Sequence, residues 1–337
     1  MFWMMLLVML MMIFVLQFTG NSFLYWVFME MVSLIIVVYL LVVSKNVGNL
    51  YGVLNYFLVQ GLGGLIVLLG LVWGILEDGG IYGFFNNSHN NVMLILILGL
   101  FIKMGFFPFF YMVIMVMLKL GYKECFIIII LPKIIPLYLF LNMNLSMFEG
   151  LLYLVILMSL FTAGVNGLKA ADIRELMGWS SINQTGWMML LVMCDVMLFL
   201  LFYVFYLVLM FMFWYYVKGV SSSSFFGVSH LMGKGDMGVI MTLLLGMIGG
   251  FSPFALFLFK MFGLLMVVNS FGAWGVGFLF LMLTGSFLFY MRIFQFLLCV
   301  TSSYGSLGFS YKDSNSGAVS FFLMLVLTVT GFIVFYI

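Results

Sequence analysis

GLFIKMGFFPFF at residues 99–110 is an apolar run with a lysine and a proline in it. IIIILPKIIPLYLF at 127–140 and GGFSPFALFLFKMFG at 249–263 are also apolar runs that contain a lysine and at least one proline. A charged side chain deep in a bilayer is costly, so such residues are rare and commonly mark an ion or proton pathway. Proline breaks the backbone hydrogen-bond ladder, which is tolerated at membrane depth only where protein or a watery cavity covers the break. These runs therefore indicate interrupted membrane helices and a pathway for small cations, with protons as the leading candidate. The lysines concerned are Lys103, Lys133 and Lys260.

The composition is that of a membrane protein. Of 337 residues, 66% are hydrophobic and 7% are charged, whereas a soluble domain averages about 25% charged residues. Apolar runs of about 20 residues, the length that spans a bilayer, repeat along the chain. We predict one all-α polytopic membrane domain over 1–337 with about eleven transmembrane helices. The predicted spans are approximately 2–18, 23–43, 51–76, 92–118, 125–142, 148–166, 174–194, 196–217, 238–266, 273–298 and 318–337.

Charged residues are unevenly distributed between the predicted loops. Of the 12 basic residues, three lie inside spans, and all the others fall on or beside even-numbered loops. The odd-numbered loops carry only acidic charges, at Glu77, Asp78, Glu149 and Asp195. Because basic loops remain on the cytoplasmic or matrix side, we predict the N-terminus on that side and the C-terminus on the other. The N-terminal run lacks a basic segment and a cleavage site, so we predict a retained span there and not a signal peptide.

A weak internal repeat accompanies this topology. KMGFFPF at 103–109 is similar to GGFSPF at 249–254, and the two segments lie in the fourth and ninth predicted spans. An offset of five spans makes the two halves point in opposite directions, as in transporters built from inverted repeats with broken helices at the midplane. We therefore predict two inverted five-helix repeats, 1–142 and 148–298, with broken helices four and nine, followed by a C-terminal helix at 318–337.

Glu30 is a further charge inside a predicted span, in SFLYWVFMEMVSLIIVVYL at 22–40. Pairing Glu30 with Lys103, in the same half, would lower the burial cost of both charges. Burial favours the neutral form of a lysine, while a nearby carboxylate favours the charged form. A movable Glu30 could therefore switch Lys103 between holding and releasing a proton. Two other interpretations stay open: the charges form structural ion pairs, or Lys260 snorkels to the membrane surface along its stem.

Other reactive side chains give no sign of a metal or redox site. Cys125, Cys194 and Cys299 are scattered singly without CxxC spacing, and His89 and His230 lie in polar loops. Neither pattern suits a metal, haem or iron–sulfur site. We therefore expect no metal and no cofactor on this chain, no nucleic acid as a partner, and an energy source in a partner protein.

Five patches, in order along the chain, resemble one family. LNYFLVQ at 54–60, the three lysine-containing runs above, and LKAADIRELMGWSSINQTGWMMLLV at 168–192 are similar to segments of NADH–ubiquinone oxidoreductase chain 2. That family is the mitochondrial form of an antiporter-like subunit in the membrane arm of respiratory complex I. The family's frequent histidine after SSI-x is Gln184 here, and Ser252–Pro253 stand where relatives often have two prolines.

The resemblance implies a proton-translocating subunit of respiratory NADH:ubiquinone oxidoreductase in the mitochondrial inner membrane. Its N-terminus would lie in the matrix and its C-terminus in the intermembrane space. Other membrane-arm subunits and the lipid bilayer would be its partners, and NADH, flavin, iron–sulfur clusters and ubiquinone would be bound by partner subunits. By position, the proton relay would consist of Glu30, Lys103, Lys133 and Lys260.

Two alternatives to this function remain at the level of sequence. A sodium or potassium/proton antiporter subunit would use similar chemistry without NADH oxidation. An assembly scaffold would use the buried charges only to fix helix packing.

Overall fold

A computed structural model describes residues 22–43, 47–78, 90–143, 145, 147–217, 236–251 and 254–305. The described residues form α-helices and one 3-10 helix, joined by turns and loops. This confirms the all-α part of the predicted fold class. The helices are α1 Ser22–Val43, α2 Val47–Asp78, α3 Asn90–Met104, α4 Phe110–Lys119, α5 Tyr122–Ile130, α6 Ile134–Asn142, α7 Glu149–Lys169, α8 Ile173–Cys194, α9 Val196–Val217, α10 Asp236–Gly249 and α11 Ala255–Gly305. Outside the described residues lie the first predicted span, the C-terminal helix at 318–337, His89, His230 and Ser252–Pro253.

Within the described residues, six helical segments are long and apolar enough to cross a bilayer. They are Phe23–Val43, Gly48–Leu76, Glu124–Asn142, Glu149–Lys169, Val196–Tyr215 and Gly275–Arg292. Shorter apolar segments, Asn91–Met104, Phe110–Lys119 and Ala255–Val268, adjoin the helix breaks. A polytopic membrane protein is therefore confirmed, while the count of eleven helices and the inverted repeats stay predictions.

Helix α2 has an exposed apolar face and a buried face. Leu58, Leu62, Leu65 and Leu69, spaced by three or four residues, are all about 60% exposed. The opposite face, with Tyr56, Gln60 and Val67 among others, is buried. Three- and four-residue spacing places side chains on one face of a helix, and a continuous apolar surface marks a membrane or protein contact. The leucine stripe is therefore a surface for lipid or for another subunit, and the buried face belongs to the protein interior.

Two of the predicted breaks have the same backbone geometry. α3 ends at Met104 and is followed by Gly105 at φ +73°, while α10 ends at Gly249 and is followed by Gly250 at φ +75°. In the first, the Phe106 N–H donates to the Phe101 carbonyl at 3.1 Å; in the second, the Phe251 N–H donates to the Gly246 carbonyl at 3.2 Å. Each is a Schellman ending, in which glycine takes the left-handed conformation that other residues avoid.

The glycines, not the prolines, therefore mark where the broken helices end. Helix α3 stops four residues before Pro108, and the chain resumes helical geometry at Phe110. Pro132 has a different place, at the start of a 3-10 turn over Leu131–Lys133 that separates α5 from α6. Helix α11 contains a further interruption at Gly272, where φ is +68°. The sequence-based expectation of interrupted helices is confirmed near Lys103, at Leu131–Lys133 and after Gly249, but its attribution to proline was wrong for α3. The interruption at Gly272 lies where the sequence analysis placed a connection between two predicted spans.

The chain divides into two compact units, Met1–Ser159 and Leu160–Ile337. In the first unit, α2 packs chiefly against α3 and α1, and α1 also contacts α5, α6 and the 3-10 turn. In the second unit, α10 packs against α11 and α9, and α8 contacts α9 and α11. Within the described residues, each unit contains one Schellman break and at least one buried lysine. The predicted repeat boundaries at 142 and 148 stay predictions.

Candidate functional site

Glu30 and Lys103 form an ion pair inside the first unit. The Lys103 Nζ atom lies 2.5 Å from Glu30 Oε1, and the two side chains are 1% and 22% exposed. Helix α1 provides the carboxylate and the last turn of α3 provides the ammonium. Truncating one partner of such a pair leaves an uncompensated charge in a low-dielectric interior. The structure thus brings together the two residues that the sequence predicted to pair, while their role as a proton relay stays a prediction.

The Glu30 carboxylate has a second hydrogen-bond partner. Ser33, one turn further along α1, donates from Oγ to Glu30 Oε2 at 3.2 Å and to the Glu30 carbonyl at 2.8 Å. Trp26, one turn earlier, donates from Nε1 to the Gly64 carbonyl at 2.8 Å, which fixes α1 against α2. The Glu30 carboxylate is therefore bound by Ser33 of its own helix and by Lys103 of α3.

Glycines on α2 allow the ion pair to lie against that helix. A Cβ atom at Gly63 would lie 2.7 Å from Lys103 Cγ, and one at Gly64 would overlap Glu30 Oε1. At Gly99, on α3, a Cβ atom would lie 2.8 Å from the Val67 backbone nitrogen. Small residues at a helix interface allow such close backbone approach. Sequence reasoning did not identify these glycines, although the cluster GLGG at 61–64 was a visible signal.

Gln60 connects α2 to the end of α3. Its Nε2 donates to the Lys103 carbonyl at 3.1 Å, and its side chain is buried. The last carbonyls of a helix have no partner within the helix, so a side-chain donor satisfies one of them here. Lys103 lies in the same turn, where the partial negative charge of the helix end favours a cation. Gln60 and the helix end therefore hold Lys103 in place.

Lys103 and Lys133 line the same cavity. Lys133 is 4% exposed and lies at the end of the 3-10 turn. The cavity has a volume of about 20 Å³, which is enough for a water molecule. The cavity is lined by Tyr56, Val59, Gln60, Lys103, Met104, Met112, Val113, Val116, Ile128, Pro132 and Lys133. The two lysines, which belong to different segments of the chain, therefore border one water-sized space.

Lys260 has a separate environment in the second unit. It is 1% exposed, so the snorkelling interpretation is wrong. Its Nζ donates to the Gly249 carbonyl at 3.1 Å, across the helix break, and lies 5.7 Å from the centre of the Trp187 ring. A helix C-terminus and an aromatic face both stabilise a cation. Lys260 therefore binds the end of α10, much as Lys103 lies at the end of α3.

Helix α8 carries buried polar side chains, and one of them binds the end of α10. Gln184 donates from Nε2 to the Ile248 carbonyl at 2.5 Å, which satisfies the residue before Gly249. Ser180, Ser181, Asn183 and Thr185 are at most 1% exposed. In the described part of the chain, both amide atoms of Asn183, Trp187 Nε1 and the Tyr206 hydroxyl are buried without a hydrogen-bond partner. Unpaired polar groups in an apolar interior are costly, so the packing described here does not by itself account for these groups.

The likeness to known proteins is clear at the level of the family. The family model described as NADH:quinone oxidoreductase/Mrp antiporter, TM, matches residues 19–291. The chain belongs to this family. The match includes Glu30 and the three buried lysines, and it confirms the family expected from the five sequence patches.

Named relatives agree with this assignment. Over 251 residues the chain is 27% identical to NADH-ubiquinone oxidoreductase chain 2 of Crocidura suaveolens gueldenstaedtii, covering 73% of this chain and 71% of that protein. It is 27% identical over 173 residues to the protein of the same name from Albinaria caerulea, covering 50% of this chain and 53% of that protein. The chain thus spans only about half of the Albinaria protein.

Solved structures share the fold. A chain of respiratory complex I from Thermus thermophilus with bound aureothin has a TM-score of 0.71 at 18% identity, covering 93% of this chain and 73% of that chain. A chain of the archaeal membrane-bound sulfane sulfur reductase has a TM-score of 0.77 at 16% identity, covering 93% of this chain and 69% of that chain. A chain of the Mrp complex from Dietzia sp. DQ12-45-1b has a TM-score of 0.70 at 13% identity, covering 82% of this chain and 56% of that chain. These likenesses show the fold, and all three neighbours belong to multi-subunit membrane complexes.

Proposed function

We propose that this chain is a proton-translocating subunit of respiratory NADH:ubiquinone oxidoreductase in the mitochondrial inner membrane. The observation that carries the proposal is the Glu30–Lys103 ion pair beside the end of a broken helix, with Lys133 lining the same cavity. The family and the named relatives support the assignment to this enzyme. Other membrane-arm subunits would be its partners, its N-terminus would face the matrix, and its C-terminus would face the intermembrane space.

In this mechanism Glu30 controls how strongly Lys103 holds its proton. While the carboxylate stays at 2.5 Å, it stabilises the charged lysine. A conformational change that moves Glu30 away would leave the ammonium in a low-dielectric interior and release the proton towards Lys133. Moving one charge against the membrane costs about 2.3 kcal/mol per 100 mV, while a change of two pKa units is worth about 2.7 kcal/mol. A pKa change of this size on the loss of one close carboxylate would therefore be enough to move a proton against a potential of about 100 mV.

Lys260 would receive the proton later, in the second unit. Its contacts with the Gly249 carbonyl and the Trp187 ring would stabilise a charged amine, and no carboxylate of the described residues forms an ion pair with it. The chemistry that drives the pump would be supplied by partner subunits, which would bind NADH, flavin, iron–sulfur clusters and ubiquinone. The proton relay proposed for this chain thus consists of Glu30, Lys103, Lys133 and Lys260.

A second candidate is a sodium or potassium/proton antiporter subunit. It is favoured by the shared family with Mrp antiporters and by the Mrp complex among the structural neighbours. Both candidates use buried lysines, but the antiporter needs no NADH oxidation. It would exchange cations for protons when a cation gradient is its only energy source.

The test is the native mass of the detergent-solubilised protein, with a stain for NADH dehydrogenase activity on the same gel. Co-migration with a very large assembly that oxidises NADH is the expected result. A small particle without NADH oxidation, which exchanges sodium or potassium for protons in vesicles, would contradict the proposal and establish the antiporter.

A further inference from the structure

Tyr56 is a buried hydroxyl with no place in the relay described so far. It lies on α2, is 4% exposed, and lines the cavity that contains Lys103 and Lys133. Its hydroxyl oxygen is buried and has no hydrogen-bond partner among the described residues. A buried phenol normally finds a partner, so one without a hydrogen-bond partner in a cavity that both lysines line calls for an explanation.

The position of Tyr56 is fixed by its neighbour on the same helix. Gln60 follows four residues later, which places both side chains on one face of α2. Gln60 donates to the Lys103 carbonyl at 3.1 Å, so this face of α2 is held against the end of α3. Gly63 and Gly64 allow the close approach of the two helices one turn further on. Tyr56 is therefore directed into the cavity by packing that also positions Lys103.

The cavity contains one group suited to passing a proton. Its lining is otherwise apolar except for Gln60 and the two lysines. The Gln60 amide nitrogen can only donate, and it is bound to the Lys103 carbonyl. A phenol hydroxyl can accept a hydrogen bond and donate one at the same oxygen. Of the cavity's side chains, Tyr56 is thus the one that can receive a proton on one side and give one on the other.

We propose that the Tyr56 hydroxyl relays protons from Lys103 to Lys133. A Lys103 N–H bond breaks, and its proton moves to the phenol oxygen directly or through a water in the cavity. In the same step the phenol O–H bond breaks and an N–H bond forms on neutral Lys133. Lys103 becomes neutral, Lys133 becomes an ammonium, and Tyr56 is a neutral phenol before and after. Rotation of the hydroxyl then resets the relay.

This inference rests on the proposed function, because it needs Lys103 to release a proton. The alternative is that the Tyr56 ring only fills space and its hydroxyl is tolerated. The two interpretations differ for Tyr56→Phe, which keeps the ring and removes the oxygen. A relay predicts a loss of proton transfer, whereas a space-filling ring predicts none.

The test uses the assembled enzyme in sealed vesicles, with NADH as the substrate. Tyr56→Phe is compared with Tyr39→Phe, which removes the hydroxyl of another tyrosine of the same unit, 9% exposed and outside the cavity lining. A reference with the ion pair neutralised, Glu30→Gln with Lys103→Met, is called the neutral-pair variant. The protons translocated per NADH oxidised and the abundance of the complex on native gels are measured for each.

The relay predicts that Tyr56→Phe loses at least half as much proton translocation per NADH as the neutral-pair variant, at wild-type abundance. Tyr39→Phe should match the wild type in both measurements. A Tyr56→Phe enzyme with the wild-type proton ratio would overturn the relay. So would a fall in abundance with an unchanged proton ratio, because the hydroxyl would then be structural. If the neutral-pair variant itself keeps the wild-type ratio, the proposed function fails first, and the relay fails with it.

Discussion

The ammonium of Lys103 meets the carboxylate of Glu30 at 2.5 Å, at the last turn of a helix that ends in the protein interior. The pair therefore combines an opposite charge with a helix C-terminus, and both stabilise the lysine cation. Neither partner has a comparable alternative nearby, since Ser33 is the only other side chain seen on the Glu30 carboxylate in the described residues. The pair is thus the natural place for a switch between a charged and a neutral lysine.

Neutralising only Glu30 should destabilise the protein. Glu30→Gln leaves Lys103 buried without its counter-charge, and we expect a loss of about 2–3 kcal/mol, less than for a fully buried pair because Glu30 is 22% exposed. The neutral-pair variant should recover most of this loss, because it removes both charges. The abundance and thermal stability of the complex measure the effect. Equal stability of the single and double variants would mean that the two charges are not coupled.

A methyl group at Gly64 should disrupt the site. Gly64→Ala places a Cβ atom on the position of Glu30 Oε1, so the carboxylate must move and the pair must lengthen. We expect fewer protons translocated per NADH oxidised. Gly61→Ala is the matched control on the same helix, because nothing lies within 4 Å of its Cβ position. It should gain up to about 1 kcal/mol from helix propensity. The same loss for both variants would show that the effect is not specific to the ion pair.

Gly250→Ala should affect Lys260 beyond its backbone strain. Gly250 and Gly272 have positive φ values of +75° and +68°, and the Gly272 ψ of −168° lies in a region that is essentially open to glycine alone. Alanine should therefore cost about 1–2 kcal/mol at Gly250 and about 1–3 kcal/mol at Gly272. A Cβ atom at Gly250 would also lie 3.0 Å from Lys260 Nζ, whereas at Gly272 nothing lies within 4 Å. We therefore expect both variants to lose stability, Gly272→Ala at least as much as Gly250→Ala, but a lower proton ratio only for Gly250→Ala. A proton ratio that falls equally in both would assign the effect to strain.

Gln184 should be required for its hydrogen bond to the end of α10. Gln184→Leu leaves the Ile248 carbonyl without this donor, at a cost of about 1–3 kcal/mol. Gln184→His keeps a side-chain donor, so it should retain more stability and more proton translocation than Gln184→Leu. Thermal unfolding of the complex and the proton ratio test this order. The reverse order would show that the Ile248 contact is not what the position provides.

The sequence predicted the parts of this site that have local signals. Charges inside apolar runs are rare, so Glu30 and the three lysines were visible at once, and the pairing of Glu30 with Lys103 followed from the need to compensate two buried charges. Helix interruptions were also predictable, although proline was a misleading marker for α3. Gly105 ends that helix because its positive φ allows a Schellman motif, and a glycine among many gives a weaker signal than a proline.

Contacts between distant segments could not be predicted in this way. The cavity joins Tyr56 to Lys133 across three segments of the chain, and Gln184 reaches a carbonyl 64 positions away. The close approach at Gly63 and Gly64 likewise depends on how α1, α2 and α3 pack. Helix packing of this kind follows from the shapes of whole surfaces, which a single sequence does not display. The burial of Lys260 was undecided for the same reason.

The central claim is that the Glu30–Lys103 pair moves protons and does not only hold helices together. The most direct measurement is the number of protons translocated per NADH oxidised by the neutral-pair variant in sealed vesicles, with its abundance determined on native gels. Lys119→Met, which removes a lysine lying over the Tyr51 ring at 3.9 Å and outside the site, is the control. We predict near wild-type abundance with a reduced proton ratio. A neutral-pair variant that assembles and pumps like the wild type would contradict the account and leave the pair a structural one.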